Sequence, residues 1–259
     1  MTALLEANRI SKSFRGLRAL SEVSLRVDED EIVGLVGPNG AGKTTAFNLM
    51  SGVTPPTEGD IHIAGQRING MSPHRIVRLG LARTFQATTV FHDTTVVENV
   101  RRGLLGALGI RFFSTLFNTA SYREQTRAST RRAYDVLERV GLSGHAHASA
   151  ATLAYGHQRL LGIAIALAAD PKILLLDEPA AGLNPAEAQM MGEMIVRLHK
   201  ELKISVLLVE HNMRMVMGIC DRLFVLQHGQ LIAQGTPQQI RNDPRVISAY
   251  LGSDDDEAA

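Results

Sequence analysis

The sequence has no tryptophan, one cysteine and almost no net charge. Cys220 stands alone, which excludes an intramolecular disulfide and fits a reducing compartment. A formal charge of +1 does not advertise a nucleic-acid surface. No uncharged apolar run reaches the ~18 residues that a membrane-spanning helix needs. The nearest, "LLGALGIRFFSTLFNTA", is interrupted by Arg111. The start, "MTALLEANRI", has no charged segment ahead of its short apolar run, and Glu6 lies within it, so no secretory signal is expected. The chain is therefore expected to be soluble. With 259 residues, 45% of them hydrophobic, it can build one large domain or a main domain with a lobe.

The apolar pattern alternates between two periods. Residues 20–27, "LSEVSLRV", read as a strand, and "EIVGLVGP" is a short apolar run with no polar face, as in a buried strand. A Gly-rich turn and the helix "KTTAFNLMSG" follow. "GDIHIAG" and "LARTFQ" read as further strands. From Thr95 to about Gly141 the pattern is helical, and "QRLLGIAIALAAD" is a buried helix. "KILLLDEP" is a strand, "PAEAQMMGEMIVRLHKEL" a helix and "ISVLLVEH" a strand. Alternation of this kind implies an α/β fold with a mainly parallel sheet. Residues 95–160 read as a helical insertion between core segments 1–94 and 161–252. The acidic tail 253–259, "SDDDEAA", reads as disordered.

"GPNGAGKT" fits the phosphate-binding pattern G-x-x-x-x-G-K-[ST], between a buried strand and a helix. Its residues are Gly37, Pro38, Asn39, Gly40, Ala41, Gly42, Lys43 and Thr44. Glycines let backbone N–H groups turn toward phosphate, and the helix N-terminus adds positive dipole character. Lys43 would bridge the terminal phosphates, the Thr44 hydroxyl would bind Mg²⁺ and Thr45 would lie near the first phosphate.

"ILLLDE" supplies the complementary half. Four apolar residues make a central strand, and Asp177 at its end is placed to hold Mg²⁺, directly or through water. Glu178 points elsewhere and can polarise a water. Taken singly, His211 after "ISVLLVE", Gln86 in "RTFQ" and Phe14 are unremarkable: a strand-end histidine is usually solvated, and a phenylalanine usually core.

In order along the chain, Phe14, Gly37–Thr45, Gln86, "LAYGHQ", Asp177–Glu178, "AGLN" and His211 together resemble the nucleotide-binding subunit of an ATP-binding-cassette transporter. The resemblance runs from residue 1 to about 252. It implies that Phe14 stacks on adenine and that Gln86 senses Mg²⁺ and the γ-phosphate. It also implies that His211 contacts that phosphate and that Ala181–Asn184 cross a dimer interface. The signature Leu153, Ala154, Tyr155, Gly156 and His157 would then face ATP bound to a second cassette. "LAYGHQRLLGIAIAL", the stretch following His211 and "VISAYLG" are similar to the branch that serves bacterial branched-chain amino acid importers. That branch often has "LAYG" where most cassettes have "LSGG". His157, Asn212 and Phe14 depart from the commonest residues, and none of them touches the phosphate or metal chemistry.

The resemblance thus implies a P-loop ATPase core with an antiparallel β edge and an inserted α-helical subdomain. The implied cofactors are ATP and Mg²⁺. The implied partners are integral membrane permease subunits, a second cassette (identical or related) and, indirectly, a solute-binding protein, with no nucleic acid. The expected place is peripheral, on the cytoplasmic face of the inner (plasma) membrane. The alternative is a soluble ATPase of the same fold that drives assembly or repair. Against it stands "RFFSTLF", which has too much apolar surface for a helical lobe unless it packs within the lobe's own core or docks a partner. No N-K-x-D guanine-reading motif is present.

Overall fold

The computed structural model describes residues 3–84, 90–108 and 120–251. Two long strands open the chain, β1 (Ala3–Phe14) and β2 (Leu17–Asp28). β3 (Ile32–Val36) leads through the Gly-rich turn into α1 (Lys43–Met50). Then come β4 (Glu58–Ile63), β5 (Gln66–Arg67), α2 (Pro73–Arg78) and β6 (Leu81–Arg83). A helical stretch follows, with α3 (Val96–Leu108), α4 (Ala120–Arg139) and α5 (Tyr155–Leu167). β7 (Ile173–Asp177), α6 (Pro185–Leu202), β8 (Ser205–Val209) and α7 (Met213–Ile219) return to alternation. β9 (Arg222–Gln227), β10 (Gln230–Gly235), α8 (Pro237–Arg241) and α9 (Pro244–Leu251) complete it.

The strands form two sheets. One has the order β10-β9-β3-β8-β7-β6, and every pairing in it is parallel except that of β10 with β9. The antiparallel region expected near the N-terminus is a separate sheet of four strands, β2-β1-β4-β5.

Alternation along the central strands sorts their side chains onto two cores. Ile32 and Val36, Leu174 and Leu176, Val206 and Leu208 face the helices α3 to α7. Their neighbours Val33 and Leu35, Ile173 and Leu175, Leu207 and Val209 face α1 and the antiparallel sheet. A strand buried on both faces needs an unbroken apolar run, which is why these segments lack a polar face. At ~25 cal/mol per Å² of apolar surface, burial on both faces makes them the most stabilising part of the sheet.

α6 begins and ends where its sequence dictates. Asn184 and Glu187 form a reciprocal capping box, Pro185 fills the first turn, and Lys203 closes the helix at φ 55°. β1 departs from its appearance in the sequence, where only a short apolar run is evident. It is twelve residues long. An irregularity between Ala7 and Ile10, with Arg9 at φ 47°, resets its alternation. A two-residue period cannot be followed through such a bulge. α2 was also not evident, because Ile76 is its one buried residue.

Candidate nucleotide site

The register of the parallel strands places the chemistry at one edge. Val209 pairs with Leu35 on one side and Asp177 on the other. The P-loop, Asp177–Glu178 and His211 thus leave the carboxyl ends of three adjacent strands, where open α/β sheets bind ligands.

The P-loop turn is dictated by crowding. Gly37 has φ 150°, and a Cβ on it would lie 2.1 Å from the Leu226 carbonyl oxygen. Only glycine fits there. α1 starts without a side-chain cap, so its first N–H groups are available to an anion. The buried Lys43 Nζ donates to the Gly37 and Pro38 carbonyls at 2.7 and 2.9 Å. Burial pushes its pKa down, against the smaller opposing pull of Glu178. Thr44 is exposed and Thr45 half-buried in the first turn.

Asp177 is buried, and one carboxylate oxygen, Oδ2, accepts from Arg83 at 2.9 Å. Burial pushes its pKa up, against the hydrogen bond and charge of Arg83. Its other oxygen, Oδ1, is buried and has no hydrogen-bond partner among the described residues. A carboxylate oxygen in that state suits a hard divalent cation, so the residue fits Mg²⁺. Glu178 adopts φ 47° and donates its N–H to the Val209 carbonyl at 2.9 Å, which turns the chain away from β7.

Sequence reasoning overlooked Arg83, Thr84 and Glu210. Glu210 is fully buried. Its Oε1 accepts from Ala180 N, and its Oε2 from the N–H groups of His211 and Asn212 at 3.1 and 3.2 Å. It therefore ties the loop after Glu178 to the backbone of His211, whose side chain is exposed. A charged residue inside "LLVEHN" was the available signal. Tyr250 in α9 was overlooked too. Its phenol is hydrogen-bonded by the Gly37 backbone and approaches Met213 Sδ at 3.6 Å.

The signature opens α5. Ala154 caps it without a side-chain hydrogen bond, again leaving N–H groups available. Leu153 is buried, and Tyr155 is exposed with the Arg159 guanidinium 4.9 Å above its ring. The His157 ring lies 4.6 Å from that of His145. Phe14 is 47% exposed at the end of β1, with the Lys12 ammonium over its ring at 5.2 Å from the centroid. Gln86, Phe112, Phe113, Phe117 and the tail 253–259 lie outside the described residues.

The parallel core, the P-loop and the acidic strand end define the class: a P-loop ATPase cassette. Residues 20–181 match the family described as "ABC transporter", and residues 230–256 match "Branched-chain amino acid ATP-binding cassette transporter". The chain belongs to the ABC transporter family and is an ATPase of it. It is 46% identical to the high-affinity branched-chain amino acid transport ATP-binding protein LivG of Escherichia coli (strain K12), over 96% of this chain and 98% of that one. Its identity to BraF of Pseudomonas aeruginosa, whose description is otherwise the same, is 45% with the same coverage. Its structure is similar to that of a nucleotide-free cassette from an ABC transporter, with a TM-score of 0.84, 29% identity and coverage of 96% and 98%. Among the described residues no helix is long and apolar enough to cross a membrane.

Proposed function

We propose that this ATPase powers import of branched-chain amino acids through separate membrane permease subunits. The observation that carries the reading is the near full-length similarity to LivG and BraF, both described as branched-chain amino acid transport ATP-binding proteins. The C-terminal match over 230–256 supports the same branch. The chain would lie on the cytoplasmic face of the membrane, with its helical segment 95–160 toward the permease. A solute-binding protein would act on it only through the permease.

Phe14 would stack on adenine, and Gly37–Thr45 would cradle the phosphates. Lys43 would hold the terminal phosphates, and Glu178 would orient a water for in-line attack and take its proton. His211 would donate to the γ-phosphate as charge develops there. Thr44, Asp177 and Gln86 would hold Mg²⁺, which when bound neutralises charge between the terminal phosphates. Leu153–His157 would present the start of α5 to ATP on a second cassette, so two chains would complete each site.

Glu178→Gln tests the chemistry. Turnover should fall by a factor on the order of 10³ while ATP binding persists, since losing a positioned base is costly and the cradle is untouched. Size-exclusion chromatography in ATP should show a dimer. Near-normal turnover would exclude Glu178 as the base. The solute is tested by reconstituting the chain with its permease and binding protein. Leucine, isoleucine or valine should stimulate hydrolysis, and stimulation only by unrelated solutes would overturn the assignment.

A further inference from the structure

Among the described residues near the site, Arg83 is the most heavily engaged buried cation, and the proposed chemistry gives it no role. Its side chain is 8% exposed and that of its partner Asp177 is 3% exposed. Nη2 donates to Asp177 Oδ2 at 2.9 Å. Nη1 donates to Asn48 Oδ1 at 2.7 Å and Ser51 Oγ at 2.8 Å. The guanidinium Cζ lies over the Phe47 ring, 4.6 Å from its centroid. Phe47 and Asn48 belong to α1, and Ser51 caps it. One side chain therefore links the P-loop helix to the carboxylate that ends β7. Thr84, which follows β6, fixes the same strand end separately: its Oγ1 accepts from Asp177 N at 3.2 Å and donates to the Leu175 carbonyl at 3.4 Å. Asp177 is thus held at both backbone and side chain, and among the described residues its Oδ1 has no hydrogen-bond partner.

We propose that Arg83 is a positioning residue for the divalent cation: it clamps Asp177 Oδ2 against the P-loop helix and leaves Oδ1 as the single oxygen presented to the metal. The inference rests on the assignment of Asp177 to Mg²⁺. A planar fork is required. Guanidinium can donate in two directions and stack on an aromatic face at once, whereas a lysine supplies the charge from a single point. Partners that orient a metal ligand commonly change metal affinity by 10–100-fold when removed.

The test uses fluorescent ATP-analogue affinity at stepped free Mg²⁺, in full-length protein carrying Glu178→Gln to prevent turnover. Arg83→Lys should leave affinity in EDTA within about twofold of the parent and raise the half-effect Mg²⁺ concentration about tenfold. Asp177→Asn should raise it at least as much. If Asp177→Asn shifts the midpoint and Arg83→Lys does not, the inference falls while the metal assignment survives. If neither shifts it, the metal assignment itself falls. Equal weakening with and without Mg²⁺ makes Arg83 a scaffold residue only and also overturns the proposal. Should Arg83→Lys fail to fold, Asn48→Ala keeps the ion pair and removes one anchor of the clamp. It should raise the midpoint about two- to threefold, a fraction of the full loss of the clamp, and an unchanged midpoint would overturn the proposal.

Discussion

The carboxylate of Glu210 accepts the backbone N–H of Ala180 at 2.7 Å. The loop that follows Glu178 is thereby held to the strand end that carries His211. Both groups are buried, so neither can exchange its partner for water without cost. Glu210→Gln replaces an acceptor of three N–H groups with a side chain whose amide must face at least one of them. Stability should fall by about 1–3 kcal/mol. ATP turnover should drop more than ATP affinity, because the P-loop is unaffected. Urea unfolding and steady-state kinetics check this, and unchanged stability would show that the carboxylate is not a brace.

Gly156 is open on the side of its own chain. A Cβ there would meet only Leu183 Cδ2, at 3.6 Å, an ordinary contact. Gly156→Asp should therefore fold and bind ATP nearly as the parent does. It should abolish ATP-driven dimerisation and hydrolysis, because a carboxylate repels incoming phosphate. Ala154→Ser should be tolerated. Normal hydrolysis by Gly156→Asp would make "LAYGHQ" an ordinary loop-to-helix junction.

Gly182 touches the same stretch from the other side. It has φ 76°, and a Cβ on it would lie 2.9 Å from Cε1 of Tyr155. Gly182→Ala should cost about 1–2 kcal/mol from the left-handed backbone alone. Tyr155→Ala in the same chain should relieve the crowding and leave the backbone cost. A double-mutant comparison by denaturant unfolding separates the two, and full additivity would show that ring and loop are uncoupled.

Tyr250 gives the protein a dependence on alkaline pH. Burial raises its phenol above the ordinary value of 10.0. The folded state therefore keeps its proton where the unfolded chain begins to lose it. The associated stability is complete below pH 10 and is lost as pH rises through the folded value. Tyr250→Phe should flatten that alkaline decline. Unfolding free energies measured between about pH 9 and 11 for both proteins decide it, and parallel curves would remove Tyr250 as the source.

Much of this protein could be read from its residues in order. The P-loop, Asp177–Glu178 and the bounds of α6 follow from local chemistry: glycine geometry, an acidic strand end and a capping box. The apolar runs of β3, β7 and β8 signal burial on both faces without any knowledge of their neighbours. Only the tertiary structure decided which strands are adjacent, and hence that Val209 brings Leu35 and Asp177 level. It also decided the roles of Arg83, Glu210 and Tyr250, whose partners are distant in sequence. A local pattern reports a residue's own preference for helix, strand or turn. A buried charge is stable only through the groups packed around it, and those are chosen by topology, which no window of sequence contains.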